Sequence, residues 1–124
     1  MSLSTSRQMA LDIADRLTSV EPATVTRYFA GAAIRVGGAQ IGFVMKNSLY
    51  FRVDDESRPQ FEALDSRPFS YKTSARNVLV ASYYEVPADV LDDDDRLNDW
   101  ATAAYRAARS SPDSKQKKAA GAAS

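Results

Sequence analysis

Between Ala39 and Asp55 the sequence AQIGFVMKNSLYFRVDD changes character at every second residue. Ile41, Phe43 and Met45 alternate with Gln40, Gly42 and Val44. Beyond the polar break Lys46-Asn47-Ser48, Leu49, Phe51 and Val53 alternate with Tyr50 and Arg52. A period of two interrupted by an Asn-containing turn predicts an antiparallel β-hairpin with one apolar face. An isolated hairpin is marginal in water, so other elements must cover that face.

The flanking sequence supplies them. Met9, Ala10, Ile13, Ala14, Leu17 and Val20 recur at three- and four-residue steps opposite Arg7, Asp12, Asp15 and Arg16. That spacing predicts an amphipathic helix over about residues 6–20, with Ser4, Thr5 or Ser6 as N-cap and Glu21-Pro22 as its stop. Strands are predicted from Thr24 to Phe29 and from Ala32 to Val36, joined to the hairpin by Gly37-Gly38, a two-residue turn signal. Pro59, Phe61, Ala63 and Leu64 predict a short helix, and Phe69–Thr73 with Val78–Val86 predict a second pair of strands around a turn at Ser74–Asn77. In the last of these, Val78, Val80, Tyr84 and Val86 are assigned to one face and Leu79, Ala81 and Tyr83 to the other. Apolar residues on both faces imply a strand covered on two sides, or a face reserved for a partner. Leu97, Trp100, Ala101, Ala104, Tyr105 and Ala108 then predict a C-terminal helix with Trp100 as its anchor on the sheet.

The fold class expected is α+β: an antiparallel sheet of about six strands, flanked by N- and C-terminal helices and one short middle helix. Its 124 residues fit a single domain, here 1–110, followed by a disordered basic tail, 111–124.

Two carboxylate runs invite a metal reading. Asp54-Asp55-Glu56 and Asp92–Asp95 each directly precede a predicted helix, where acidic groups satisfy free N–H groups and complement the helix dipole. Neither run has the spacing of a calcium loop. Helix capping therefore accounts for both, and no metal or cofactor is expected. The chain contains no histidine and no cysteine, which removes the commonest general base, any Ser-His-Asp triad, thiolate zinc sites and disulfides. A non-enzyme is expected. The formal charge is zero, from 16 basic and 16 acidic residues. No apolar run is long enough to span a membrane and no signal peptide is evident, so a cytoplasmic setting is expected.

With this order of elements the chain resembles the N-terminal domain of the TfoX/Sxy family. The matching segments are Arg27 to Gly31, Leu49-Tyr50 with Val53-Asp54-Asp55, Tyr83-Tyr84-Glu85-Val86-Pro87, and the helix bearing Trp100. The likeness covers roughly residues 5–109. It departs at Ala30-Gly31, where the family has Gly-Gly, and the expectation is a stand-alone N-terminal domain without the second domain of full-length competence regulators. The resemblance implies a part in promoting competence-gene transcription together with a cyclic-AMP receptor protein.

Three functions compete. The first is a regulatory domain that binds another protein, a transcription regulator or part of the transcription machinery, through Tyr50, Arg52, Leu79, Tyr83 and Glu85; a homodimer is compatible with the same face. The second is direct nucleic-acid binding, with Tyr50 and Arg52 on one strand face and Arg67, Lys72 and Arg76 nearby, since aromatic and basic groups interleaved on a sheet stack bases and hold phosphates. Zero net charge argues against it. The third, an enzyme using Asp54, Asp55, Tyr84 or Glu85, is weakest, because each has a simpler role as a cap or rim residue.

Overall fold

The computed structural model describes residues 2–20 and 22–110. Its elements in chain order are α1 (Ser2–Arg16), β1 (Ala23–Tyr28), β2 (Gly31–Val36), β3 (Ala39–Met45), β4 (Ser48–Arg52), α2 (Arg58–Glu62), β5 (Pro68–Lys72), β6 (Asn77–Glu85), α3 (Ala88–Leu91) and α4 (Asp94–Ser110). The strands form one antiparallel sheet in the order β1-β2-β3-β4-β6-β5. The protein is thus α+β, with six strands and its helices against one face of the sheet. The predicted tail, 111–124, lies outside the described residues.

The main core lies between helices and sheet. Ala10 and Ile13 of α1, Leu17 just beyond it, and Leu97, Trp100, Ala101, Ala104 and Ala108 of α4 pack on Ile34, Val36, Val44, Leu49 and Phe51. The alanine face of α4 lets the helix lie close to the strands. Trp100 also meets the ring of Phe61 from α2, with centroids 4.4 Å apart, so it anchors two helices at once.

Several boundaries differ from expectation. The first helix runs from Ser2 to Arg16; it does not begin near residue 6, and Ser6 is a buried residue inside it. It ends early because Asn98 captures the residues just past Arg16. The Asn98 side-chain oxygen accepts from the N–H groups of Thr18 (2.8 Å) and Ser19 (2.9 Å), while its amide donates to the carbonyl of Arg16 (3.0 Å). Helix α3 was not expected. It is a single turn after Pro87 that buries Val90 completely, too short to leave a periodic signature.

The larger correction concerns the hairpin. Its loop is two residues, Lys46 (φ 54°) and Asn47 (φ 65°), which sets Met45 opposite Ser48, Val44 opposite Leu49 and Phe43 opposite Tyr50. Residues directly opposite share a face. Val44, Leu49 and Phe51 therefore turn toward the helices, while Phe43, Met45 and Tyr50 turn away from them. Ile41 joins the helix side because the β2–β3 register shifts between Ile34 and Arg35. The hairpin has two apolar faces, where one was expected.

Of the two carboxylate runs, Asp92–Asp95 caps a helix, through Asp93 at the start of α4. Asp54 instead folds the turn before α2, whose N-cap Ser57 makes no side-chain cap bond, so the expected capping by Asp54-Asp55-Glu56 is not seen there. Asp54 Oδ1 accepts from the backbone of Glu56 and Ser57, and Asp93 Oδ1 accepts from the backbone of Asp95 and Arg96. Asp55 pairs with Arg58 at 2.8 Å and Asp94 with Arg16 at 2.7 Å.

Candidate functional site

The sheet face opposite the helices is built from aromatic rings. Phe43 is fully buried at its centre, with Tyr28 of β1 (4.9 Å between centroids), Tyr50 of β4 (5.1 Å), Phe69 of β5 (4.9 Å) and Tyr83 of β6 (5.0 Å) around it. Tyr28 and Phe69 come from the edge strands β1 and β5, yet each reaches within 5 Å of the same ring. The side chains converge over β3, and the face they form is hollowed, which makes it the concave side of the molecule.

Two glycines permit close strand approach near this centre. A Cβ at Gly31 would collide with the carbonyl of Val44, and one at Gly42 with that of Tyr50. The position that departs from the TfoX/Sxy pattern is Ala30, whereas Gly31, where the backbones come closest, is retained.

The rings do not fill the concavity. A cleft of about 470 Å³ remains, floored by Phe43 and Tyr83 and walled by Phe29, Met45, Phe69 and Tyr71. A second depression of about 540 Å³ adjoins it, bordered by Lys46, Tyr50 and Lys72. Phe29 is 81% exposed and Tyr71 48% exposed, both large apolar rings left at the lip. Phe29 occupies the β1–β2 turn with φ at 49°, a left-handed conformation that is unusual for so bulky a residue.

Of the residues singled out from sequence, four meet here. Tyr50 lies opposite Glu85 and Arg52 opposite Tyr83 across the β4–β6 pair. The Arg52 guanidinium sits 5.4 Å from the centre of the Tyr83 ring, and Glu85 Oε2 accepts from Ser48 at 3.1 Å. Burial raises the Tyr50 hydroxyl above its ordinary pKa, reinforced by the Glu85 charge and opposed by the bond to Ser48. Tyr28 is raised too, chiefly by burial. Leu79, assigned to the same face as Tyr83, does not join them. The β5–β6 register slips so that Phe69 faces Val80 while Pro68 faces Tyr84. The slip inserts an odd number of residues into β6 and reverses the alternation. Val80 then packs with Tyr83 and Phe69, and Leu79 stands 67% exposed outside the cluster.

Sequence reading missed Phe29, Phe43, Met45, Phe69, Tyr71 and Val80. The Lys46-Asn47 turn held the signal for two of them: a two-residue loop fixes Phe43 and Met45 on the face of Tyr50. It also missed how charge is divided. Residues 23–53 and 67–85, which hold all six strands, carry seven basic residues and one carboxylate, Glu85. Residues 54–66 and 86–110, which hold α2, α3 and α4, carry eleven carboxylates and four arginines. Zero net charge conceals a cationic sheet backed by anionic helices.

Among the described residues, no three carboxylates gather where they could share a metal ion, and no helix is long and apolar enough to cross a membrane. Tyr84, named as a catalytic candidate, faces the helices and donates to Glu62 at 2.9 Å, and the candidate carboxylates Asp54, Asp55 and Glu85 each have the separate partners described above.

No curated protein matches the chain. Residues 15–108 match the family model of the TfoX N-terminal domain, a span that runs from the last residues of α1 through nearly all of α4 and includes every strand of the concave face. The chain belongs to the TfoX N-terminal domain family.

Proposed function

We propose that this protein is a non-catalytic regulatory domain that works in the cytoplasm by holding a partner protein on its concave sheet face, in transcriptional control of the kind exercised by competence regulators. The aromatic cleft carries this proposal. Helices cover the other face of the sheet, while here Phe29 and Tyr71 remain exposed beside an apolar cleft of about 470 Å³. Exposed apolar surface of that kind, rimmed by polar groups, marks interaction sites. Family membership supports the regulatory context, and the absence of His and Cys supports a role without catalysis.

The test is direct binding. The purified chain should retain RNA polymerase or a cyclic-AMP-dependent regulator, and the Phe29→Ala/Tyr71→Ala variant should lose that retention while keeping its circular dichroism spectrum. Equal retention by both forms, or by neither, overturns the proposal. A second reading, nucleic-acid binding, gains support from the cationic strands. It requires affinity for a mixed oligonucleotide pool that falls steeply with salt.

A further inference from the structure

The concave face, on the premise that it is the binding surface, also specifies the chemistry of its partner. The cleft is lined by six aromatic residues with Met45 and Val80, and among the described residues no charged side chain enters its lining. Its volume lies within the range of about 300–1,000 Å³ over which proteins enclose compact ligands. Charges begin at the rim: Lys46 and Lys72 border the adjoining depression, and Arg52 lies over the Tyr83 ring. The single carboxylate of the strands, Glu85, is engaged by Ser48. The site thus combines an apolar socket with a cationic lip.

We infer that its occupant is an acidic segment of another protein, carrying a bulky apolar side chain, aromatic or leucine, that seats in the cleft while neighbouring carboxylates meet Lys46 and Lys72. Two other occupants fit less well. A second copy of this chain would present the same concavity and the same cations, so face-to-face packing would enclose a void and oppose like charges. Single-stranded nucleic acid needs open ring faces in a row. Here the rings spend their faces on one another: Phe69 meets Phe43 at 84° and Tyr50 at 76°, while Tyr50 lies stacked on Phe43. What they leave is a socket, which suits a side chain better than a strand of bases.

The inference is tested by selecting a random-peptide display library against the full chain, with an unrelated protein for counter-selection. Enriched peptides should share an aromatic residue or leucine flanked by Asp and Glu, with net negative charge. Synthetic copies should lose about tenfold or more in affinity, equivalent to about 1.4 kcal/mol, on Phe29→Ala and on the double variant Lys46→Glu/Lys72→Glu. All three positions are exposed, so these variants keep their fold, as thermal unfolding will verify. The charge-reversed variant should in turn gain affinity for peptides in which Lys replaces Asp and Glu. Enrichment of neutral or basic sequences at this face overturns the partner chemistry but leaves a protein-binding role standing. Displacement of the peptides from the face by a random single-stranded DNA pool at comparable concentration overturns both. Absence of enrichment over the unrelated protein overturns the inference as well.

Discussion

Phe29 is the residue at which stability and binding are expected to separate. Its φ of 49° places it in the left-handed region, which costs a residue other than Gly, Asn or Asp about 1–2 kcal/mol. Against that, its ring is 81% exposed. One fifth of a ring of about 200 Å² is about 40 Å², so burial contributes about 1 kcal/mol at about 25 cal/mol per Å². The edge-on contact with Tyr28, centroids 4.8 Å apart, adds about 0.5–1.5 kcal/mol. Phe29→Ala gives up the ring and keeps the strained backbone, so it should destabilise by about 1.5–2.5 kcal/mol. Phe29→Asn gives up the same ring but relieves the strain, and should stay within about 1 kcal/mol of the parent. The Asn variant should therefore exceed the Ala variant by about 1 kcal/mol, or about 4 °C in melting temperature for a chain of this length. Urea and thermal unfolding followed by circular dichroism measure both, and peptide affinity should fall alike in the two. An Ala variant as stable as the Asn variant would refute the turn strain. A loss above about 3 kcal/mol for Asn would show that the ring belongs to the core.

Two further outcomes concern contacts away from the cleft. Asn98→Ala removes the clasp on Arg16, Thr18 and Ser19 and should lower stability by about 1–3 kcal/mol, with faster amide exchange at Thr18 and Ser19; an unchanged urea midpoint would show the clasp to be incidental. The Tyr84 hydroxyl is raised above its ordinary value of 10.0 by burial first, and then by its hydrogen bond to Glu62 and that group's charge. The stability tied to the neutral phenol is complete below pH 10 and is lost as pH rises through the raised value. Urea midpoints should thus hold from pH 8 to 9 and fall toward pH 11, with a shallower fall in Tyr84→Phe; a midpoint that climbs with pH contradicts this sign. Burial raises Tyr28 and Tyr50 in the same direction, so their loss adds to the fall.

What the sequence disclosed, and what it concealed, divides along physical lines. Period-two alternation, Gly37-Gly38 and the Trp100 helix are local signals, and they specified an α+β chain with its strands and long helices in order. The capping Asp93 was legible for the same reason: it acts on N–H groups two and three residues ahead. Pairing register is a long-range property, and there local reading faltered. Leu79 was placed beside Tyr83 by counting alternate residues, but the slip between β5 and β6 reverses the count. The ring cluster centred on Phe43 draws on five strands that are scattered through the sequence, so no window along the chain contains it. The sum of charges likewise said nothing of their placement.

That placement has a kinetic side. A body with no net charge feels no pull toward a charged surface, yet a body with opposite poles is turned by one. At physiological ionic strength such torque acts within about 8 Å. It would orient the last step of an encounter without hastening the journey that precedes it. An anionic surface would meet this protein strands first, cleft forward, while a cationic one would meet its helices. Two molecules that drift together would favour head-to-tail contact, leaving one concave face of the pair open to a third.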